Sequence, residues 1–165
     1  GIGEVGLETG SNQEREILEA HLKLGPMLVD MGKRIGIHTP RKNKLEITFK
    51  ILELLDNHSG LEEIIVIDHC TPETIGYVLE KGYWAGVTLS PIKTSLYDLK
   101  RIVNEYPLYL HRIMCNTDSG MDFYEDMYHL YRSKEFLPEV KNKLTFENAY
   151  QFFTFEPSLL CSCNT

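Results

Sequence analysis

Short apolar runs alternate along the chain with segments of helical periodicity. The most apolar run is Ile64-Ile65-Val66-Ile67, and four consecutive β-branched residues read as a strand buried on both faces, as in a parallel sheet covered by helices. Similar runs at Gly1 to Leu7, Arg34 to Ile37, Trp84 to Leu89 and about His111 to Cys115 predict four more strands. Between them lie the helices. Ser11-Asn12-Gln13-Glu14 has the capping-box spacing, and Ile17, Leu18, His21 and Leu22 then share one helical face. Gly25-Pro26 breaks that helix, because proline removes a donor and clashes with the preceding turn; residues 27 to 31 resume it and Gly32 ends it. Leu45, Phe49, Leu52 and Leu55, flanked by Ile51 and Leu54, give the second unit an apolar face of 3.6 spacing. Thr71-Pro72-Glu73-Thr74 reads as an N-cap with proline at the first helical position, and Gly82 as that helix's stop. Ser95 caps a further helix whose Leu96, Leu99 and Val103 face inward. A helical region over Met121 to Tyr131 and a last helix, Phe146 to Phe153, complete the pattern.

Five strand-helix units in alternation predict an α/β fold with a parallel sheet. An open doubly wound sheet collects its ligands mainly at one switch point, often with a Gly-rich phosphate loop after the first strand. No such loop is present. A barrel instead draws its chemistry from the C-terminal ends of several strands, which is the pattern here. The expectation is a partial TIM (β/α)8 barrel: residues 1 to 153 form the C-terminal part of the barrel, and 154 to 165 a tail whose Cys161-Ser162-Cys163 reads as exposed thiols at a frayed end.

At 165 residues, 42% hydrophobic and 25% charged, the composition is that of one globular domain with a core and nothing membrane-like. The formal net charge of -7 argues against a sequence-independent nucleic-acid binder, which needs a basic face to neutralise phosphates. Four irregularly placed cysteines make no disulfide framework, so the cytoplasm is the expected compartment. The chain opens on Gly1, inside an apparent strand and without an initiator methionine, which predicts an N-terminally truncated sequence.

The strand ends carry the chemistry. Glu4 lies within the first strand, His38 closes the second, Asp68-His69-Cys70 closes the third and Asn116-Thr117-Asp118 follows the fifth. Glu4, His38, His69 and Asp118 form a mixed nitrogen and oxygen set that suits Zn, Mn, Fe or Mg better than a soft thiolate metal. Asp68 reads as a residue that orients its neighbours, and Cys70 and Cys115 as packing. Arg41, Lys42 and Lys44, in the loop after the second strand, are candidate substrate-binding residues for a phosphate.

These motifs resemble those of TatD-type metal-dependent hydrolases, in the amidohydrolase-like superfamily. Gly3-Glu4-Val5-Gly6-Leu7-Glu8 is similar to that family's G-E-x-G-L-D strand, His38 stands where it has H-S-R, His69-Cys70 where it has H-C, and Asn116-Thr117-Asp118 where it has E-T-D. Asn148-Ala149 with Phe152-Phe153 resembles its closing helix. The H-T-P run at His38, the I-D-H strand end and Gly82 to Leu89 resemble the archaeal branch of predicted TIM-barrel hydrolases. The resemblance covers the chain to about Phe153. It implies that the strands correspond to about the fourth to eighth of the barrel, and that the complete protein holds two divalent metal ions. Glu4 would bridge them, His38 and His69 would serve one ion, and Asp118 would bind metal or take a proton from the attacking water. The chain departs from the family at Pro40, which replaces the H-S-R arginine, and lacks the first-strand H-x-H pair.

The expected function is hydrolysis by a metal-activated water, with a small-molecule phosphoester or a nucleic-acid end favoured as substrate, as in deoxyribonuclease-like members. Hydrolysis of amide or lactone bonds, or deamination, is the alternative enzyme reading. An inactive partial barrel acting as an interaction protein is the alternative outside enzymes. These 165 residues alone are expected to be inactive, since adding ~90 would reach the ~250 usual for the fold.

Overall fold

The computed structural model of the protein describes residues 1–118 and 125–154. The elements are β1 (Ile2–Gly6), α1 (Asn12–Leu22), α2 (Gly25–Asp30), β2 (Ile35–His38), α3 (Lys44–Leu55), β3 (Ile65–Asp68), α4 (Ile75–Glu80), β4 (Trp84–Thr88), α5 (Leu96–Glu105) and β5 (Ile113–Asn116), followed by α6 (Glu125–Arg132), α7 (Pro138–Asn142) and α8 (Asn148–Thr154). A 3-10 helix over Pro107–Arg112 leads into β5, and a π-helical stretch over Lys143–Glu147 joins α7 to α8. The part of the expected helical region at 121 to 124, and the tail with Cys161 and Cys163, lie outside the described residues.

All four strand pairings are parallel and the order is β1-β2-β3-β4-β5. A doubly wound sheet would reverse its order at a switch point; this one never does, and among the described residues it is not closed, so it is an arc of a barrel with β1 and β5 at its edges.

The period of two along the strands divides the sheet into two chemically different faces. Ile35, Ile37, Ile65, Ile67, Ala85, Val87 and Ile113 face the helices and join Leu18, Leu22, Ile51, Leu55, Val78 and Leu99 in the main core. The other face carries Trp84 and Met114 at one end, where Phe152 of α8 covers them. β3 is therefore buried fully on one face only: Val66 and Asp68 are half-buried, because the second face of an open arc lacks the opposing strands that would cover it.

Local chemistry explains most boundaries. Ser11 and Glu14 form the capping box of α1, Ser95 caps α5 by accepting from the Asp98 backbone N–H, and Pro26 opens α2. Gly82, at φ +84°, follows the last residue of α4's cap. The Thr71 to Thr74 stretch departs from expectation. It is a turn in which Thr74 Oγ1 accepts from the Thr71 N–H at 3.0 Å, and the helix begins at Ile75, so Pro72 lies before the helix instead of at its first position. The final helical region begins earlier than expected, at Pro138.

Asn148 ties that region to the sheet. It is 2% exposed, and its Nδ2 donates to the carbonyls of Leu110 at 2.6 Å and Ile113 at 2.7 Å. Asn148→Ala leaves both oxygens without this donor, so it should lower unfolding stability by about 2–3 kcal/mol, as read from urea denaturation. A loss under about 0.5 kcal/mol would refute this role.

Candidate metal centre

Three of the four candidate ligands meet at one end of the sheet. Glu4, His69 and Asp118 each offer a ligand atom, and these atoms lie within 4.8 Å of one another. His69 Nε2 is 3.2 Å from Glu4 Oε1. Two donors bound at ~2.1 Å to one ion, at tetrahedral or octahedral angles, stand about 3.0–3.4 Å apart, so this pair fits a divalent cation. Glu4 is 44% exposed, since β1 is an edge strand among the described residues. His38 lies outside this group. It closes β2 opposite Gly6 and Asp68, with its Nε2 3.9 Å from Glu8 Oε2.

The backbone at the site is held in an unfavourable conformation. His69 at φ +60° and Asp118 at φ +52° both occupy the left-handed region, which costs a residue with a Cβ about 1–3 kcal/mol and persists only where its surroundings enforce it. For His69 those surroundings are visible. Its N–H donates to Asp68 Oδ1 at 2.7 Å, and its carbonyl accepts from Lys44 Nζ at 2.9 Å and from Thr39 Oγ1 at 3.3 Å. Lys44 also donates to Thr39 Oγ1 at 2.8 Å and to the Thr39 carbonyl at 3.3 Å. All three of its protons therefore have acceptors, and burial draws its pKa down to about 8.

A hydrogen-bond chain fixes which nitrogen of His69 is bare. Asn116 Nδ2 donates to Asp68 Oδ1 at 2.8 Å, so Asn116 Oδ1 is left to accept from the Thr88 hydroxyl at 2.7 Å. With its one proton used there, Thr88 Oγ1 can only accept from His69 Nδ1–H, 2.7 Å away. Nε2 is then the unprotonated nitrogen and points toward Glu4. Burial, first among the causes, holds the His69 pKa below its ordinary value, which keeps the ring neutral as ligation requires. Outer contacts of this kind orient metal-binding histidines. Thr88→Val should therefore weaken Mn²⁺ binding about 10-fold, as measured by titration calorimetry; an unchanged affinity would show that the chain does not set the tautomer.

The two carboxylates differ. Burial and the nearby charges of Asp68 and Asp118 raise the Glu4 pKa, whereas the hydrogen bond from Lys93 holds Asp118 below the usual carboxylate range. Lys93 is the residue that sequence reasoning missed. It sits in the loop after β4, and its Nζ is 2.5 Å from Asp118 Oδ2 and 3.2 Å and 3.3 Å from the two ring nitrogens of His69. A lysine in an irregular loop carries no periodic signal, and only its place at the C-terminal end of a parallel strand could have marked it.

A cavity of about 390 Å³ adjoins the cluster, with Thr39, Arg41, Lys44, His69, Thr71, Glu73 and Lys93 among its lining residues. Of the three basic residues in the loop after β2, Arg41 and Lys44 border this space, and Lys42 is exposed.

No family model matches the chain. It is 29% identical over 140 residues to an uncharacterized metal-dependent hydrolase of Methanocaldococcus jannaschii, covering 84% of this chain and 53% of that protein. The crystal structure of the TatD-like protein from Archaeoglobus fulgidus superposes with a TM-score of 0.67 at 34% identity, covering 92% of this chain and 58% of that one. Sequence and fold together relate the chain to the TatD-type metal-dependent hydrolases. It spans about half the length of the curated relative that it matches. The resemblance read from the strand-end motifs is thus upheld, and so is the α/β barrel arc. Among the described residues, no helix is long and apolar enough to cross a membrane.

Proposed function

We propose that the protein to which this chain belongs is a metal-dependent hydrolase acting on a phosphoester, either a small molecule or a nucleic-acid end. The observation that carries this reading is the juxtaposition of the Glu4, His69 and Asp118 donors with a pocket bordered by Arg41, Lys44 and Lys93. A divalent cation held by the three donors would supply Lewis acidity and an activated water. The remaining work belongs to the chain itself. His69 offers Nε2 because Thr88 holds its other nitrogen, and Asp118 stays ionised beside Lys93, which suits ligation better than proton abstraction. Lys44 supports the His69 backbone, and Arg41 on the pocket wall is a direct contact for a substrate anion.

The test compares two substrates on one protein. Arg41→Ala should lower kcat/KM for Mn²⁺-dependent hydrolysis of a phosphoester by about 10-fold or more, with hydrolysis of a neutral ester of similar size changed less than about twofold. Equal losses on both would sink the phosphoester reading, and a protein that takes up no divalent metal would sink the hydrolase.

We also propose that further βα units complete the site. The resemblance assigns an H-x-H pair to a strand that these 165 residues do not contain, and among the described residues β1 and β5 each have a strand on one side only. Expressed alone, the chain should bind fewer Mn²⁺ per molecule than a version extended upstream, and turn over more slowly. Equal stoichiometry and turnover in the two would refute this.

A further inference from the structure

We propose that Lys93 is a shared cation of this site, one that opposes metal binding and binds the substrate's anionic group. The inference rests on the metal-centre reading and adds a residue that no motif assigns. Its ammonium is bonded to Asp118 Oδ2 at 2.5 Å and lies against His69, so it touches two of the three side chains that would hold the ion. The contact with His69 is not a strong hydrogen bond. Nζ is nearly equidistant from both ring nitrogens, at 3.2 Å and 3.3 Å, while Nδ1 is engaged by Thr88 and Nε2 faces Glu4. The ammonium therefore rests beside the ring as a charge, and a divalent ion drawing on the same carboxylate and imidazole would meet a like charge a few ångströms away.

The same side chain borders the adjoining cavity, as do Arg41 and Lys44. Of these cations, Lys44 spends its protons on Thr39 and His69. Lys93 is held by a single carboxylate partner, Asp118. As Asp118 turns to ligation, the ammonium is left facing the cavity, where an anion gives it a new partner. Ion and anion thereby become linked: each is bound better when the other is present, because the anion neutralises the charge that opposes the ion.

The signature is a pair of effects of opposite sign, which loss of folding would not produce. In the full chain, Lys93→Met should tighten Mn²⁺ binding about 10-fold, read by electron paramagnetic resonance of free Mn²⁺, and weaken binding of inorganic phosphate to the Mn²⁺-loaded protein about 10-fold, read by calorimetry. Lys93→Arg, which keeps the charge, should stay within about threefold of wild type on both. Lys100→Met, on α5 and paired with Glu135, serves as the control for removing a surface charge. Weaker or unchanged Mn²⁺ binding in Lys93→Met, or unchanged phosphate binding, overturns the role of Lys93. A wild-type chain that binds no Mn²⁺ overturns the metal centre itself, so the two failures are distinguishable.

Discussion

His69→Ala is expected to lower Mn²⁺ affinity by at least about 100-fold, since even residues that only orient a ligating histidine are worth about 10–100-fold. Of the three donors, His69 is the most firmly placed. Its ring is 9% exposed, its tautomer is set by Thr88, and its backbone is pinned on both sides by Asp68 and Lys44. Glu4 and Asp118 are about two-fifths exposed and can be replaced in part by water, whereas the nitrogen ligand cannot. His69→Ala also frees Thr88 and Lys93 from the ring without unpairing either, because both keep the contacts to Asn116 and Asp118. The fold should therefore survive, and the measured loss should be a loss of metal. His38→Ala, whose ring faces Glu8, should cost less than about 10-fold. Equal losses in the two variants would place His38 in the same coordination sphere and revise the site; a His69→Ala protein with wild-type affinity would remove the site altogether.

What the sequence made legible follows from which physics is local. Strand existence came from short apolar runs, and helix starts from caps at Ser11 and Ser95, because both depend on residues a few positions apart; strand order followed from the barrel reading. The ends of β1, β3 and β5 drew attention since a charged or imidazole group closing an apolar strand needs a reason. What sequence could not show is where a side chain points once several strands are assembled. Lys44 read as a rim cation, but the αL backbone at His69 turns a carbonyl toward it. Lys93 was silent, since a loop residue has no period, and its meaning comes only from the two strand ends that it spans. His38 shows the same limit in the other direction: its motif context was as good as that of His69, and the packed arrangement faces it toward Glu8.

Gly86→Ala should lower stability by about 2–4 kcal/mol and Mn²⁺ affinity by about 10-fold. A Cβ at this position of β4 would lie 2.3 Å from Asp68 Oδ1, 2.9 Å from its Cγ and 3.2 Å from its Cα. The carboxylate has nowhere to yield without consequence, because Oδ1 accepts from both the His69 backbone N–H and Asn116 Nδ2. Turning Asp68 away releases the chain of bonds that sets the His69 tautomer, and with it the geometry of Nε2. Holding Asp68 in place instead pushes β3 from β4, where the register consists of only Val66 with Trp84 and Ile67 with Ala85, the shortest ladder in the sheet. Either path couples stability to metal binding, so both measurements should move together: a thermal midpoint lower by roughly 5–15 °C for a chain of this size, and weaker Mn²⁺ uptake. Gly3→Ala is the matched control, since a Cβ there meets nothing within 4 Å and should shift the midpoint by less than about 2 °C. A Gly86→Ala protein with an unchanged midpoint and unchanged Mn²⁺ affinity would show that Asp68 does not hold the site.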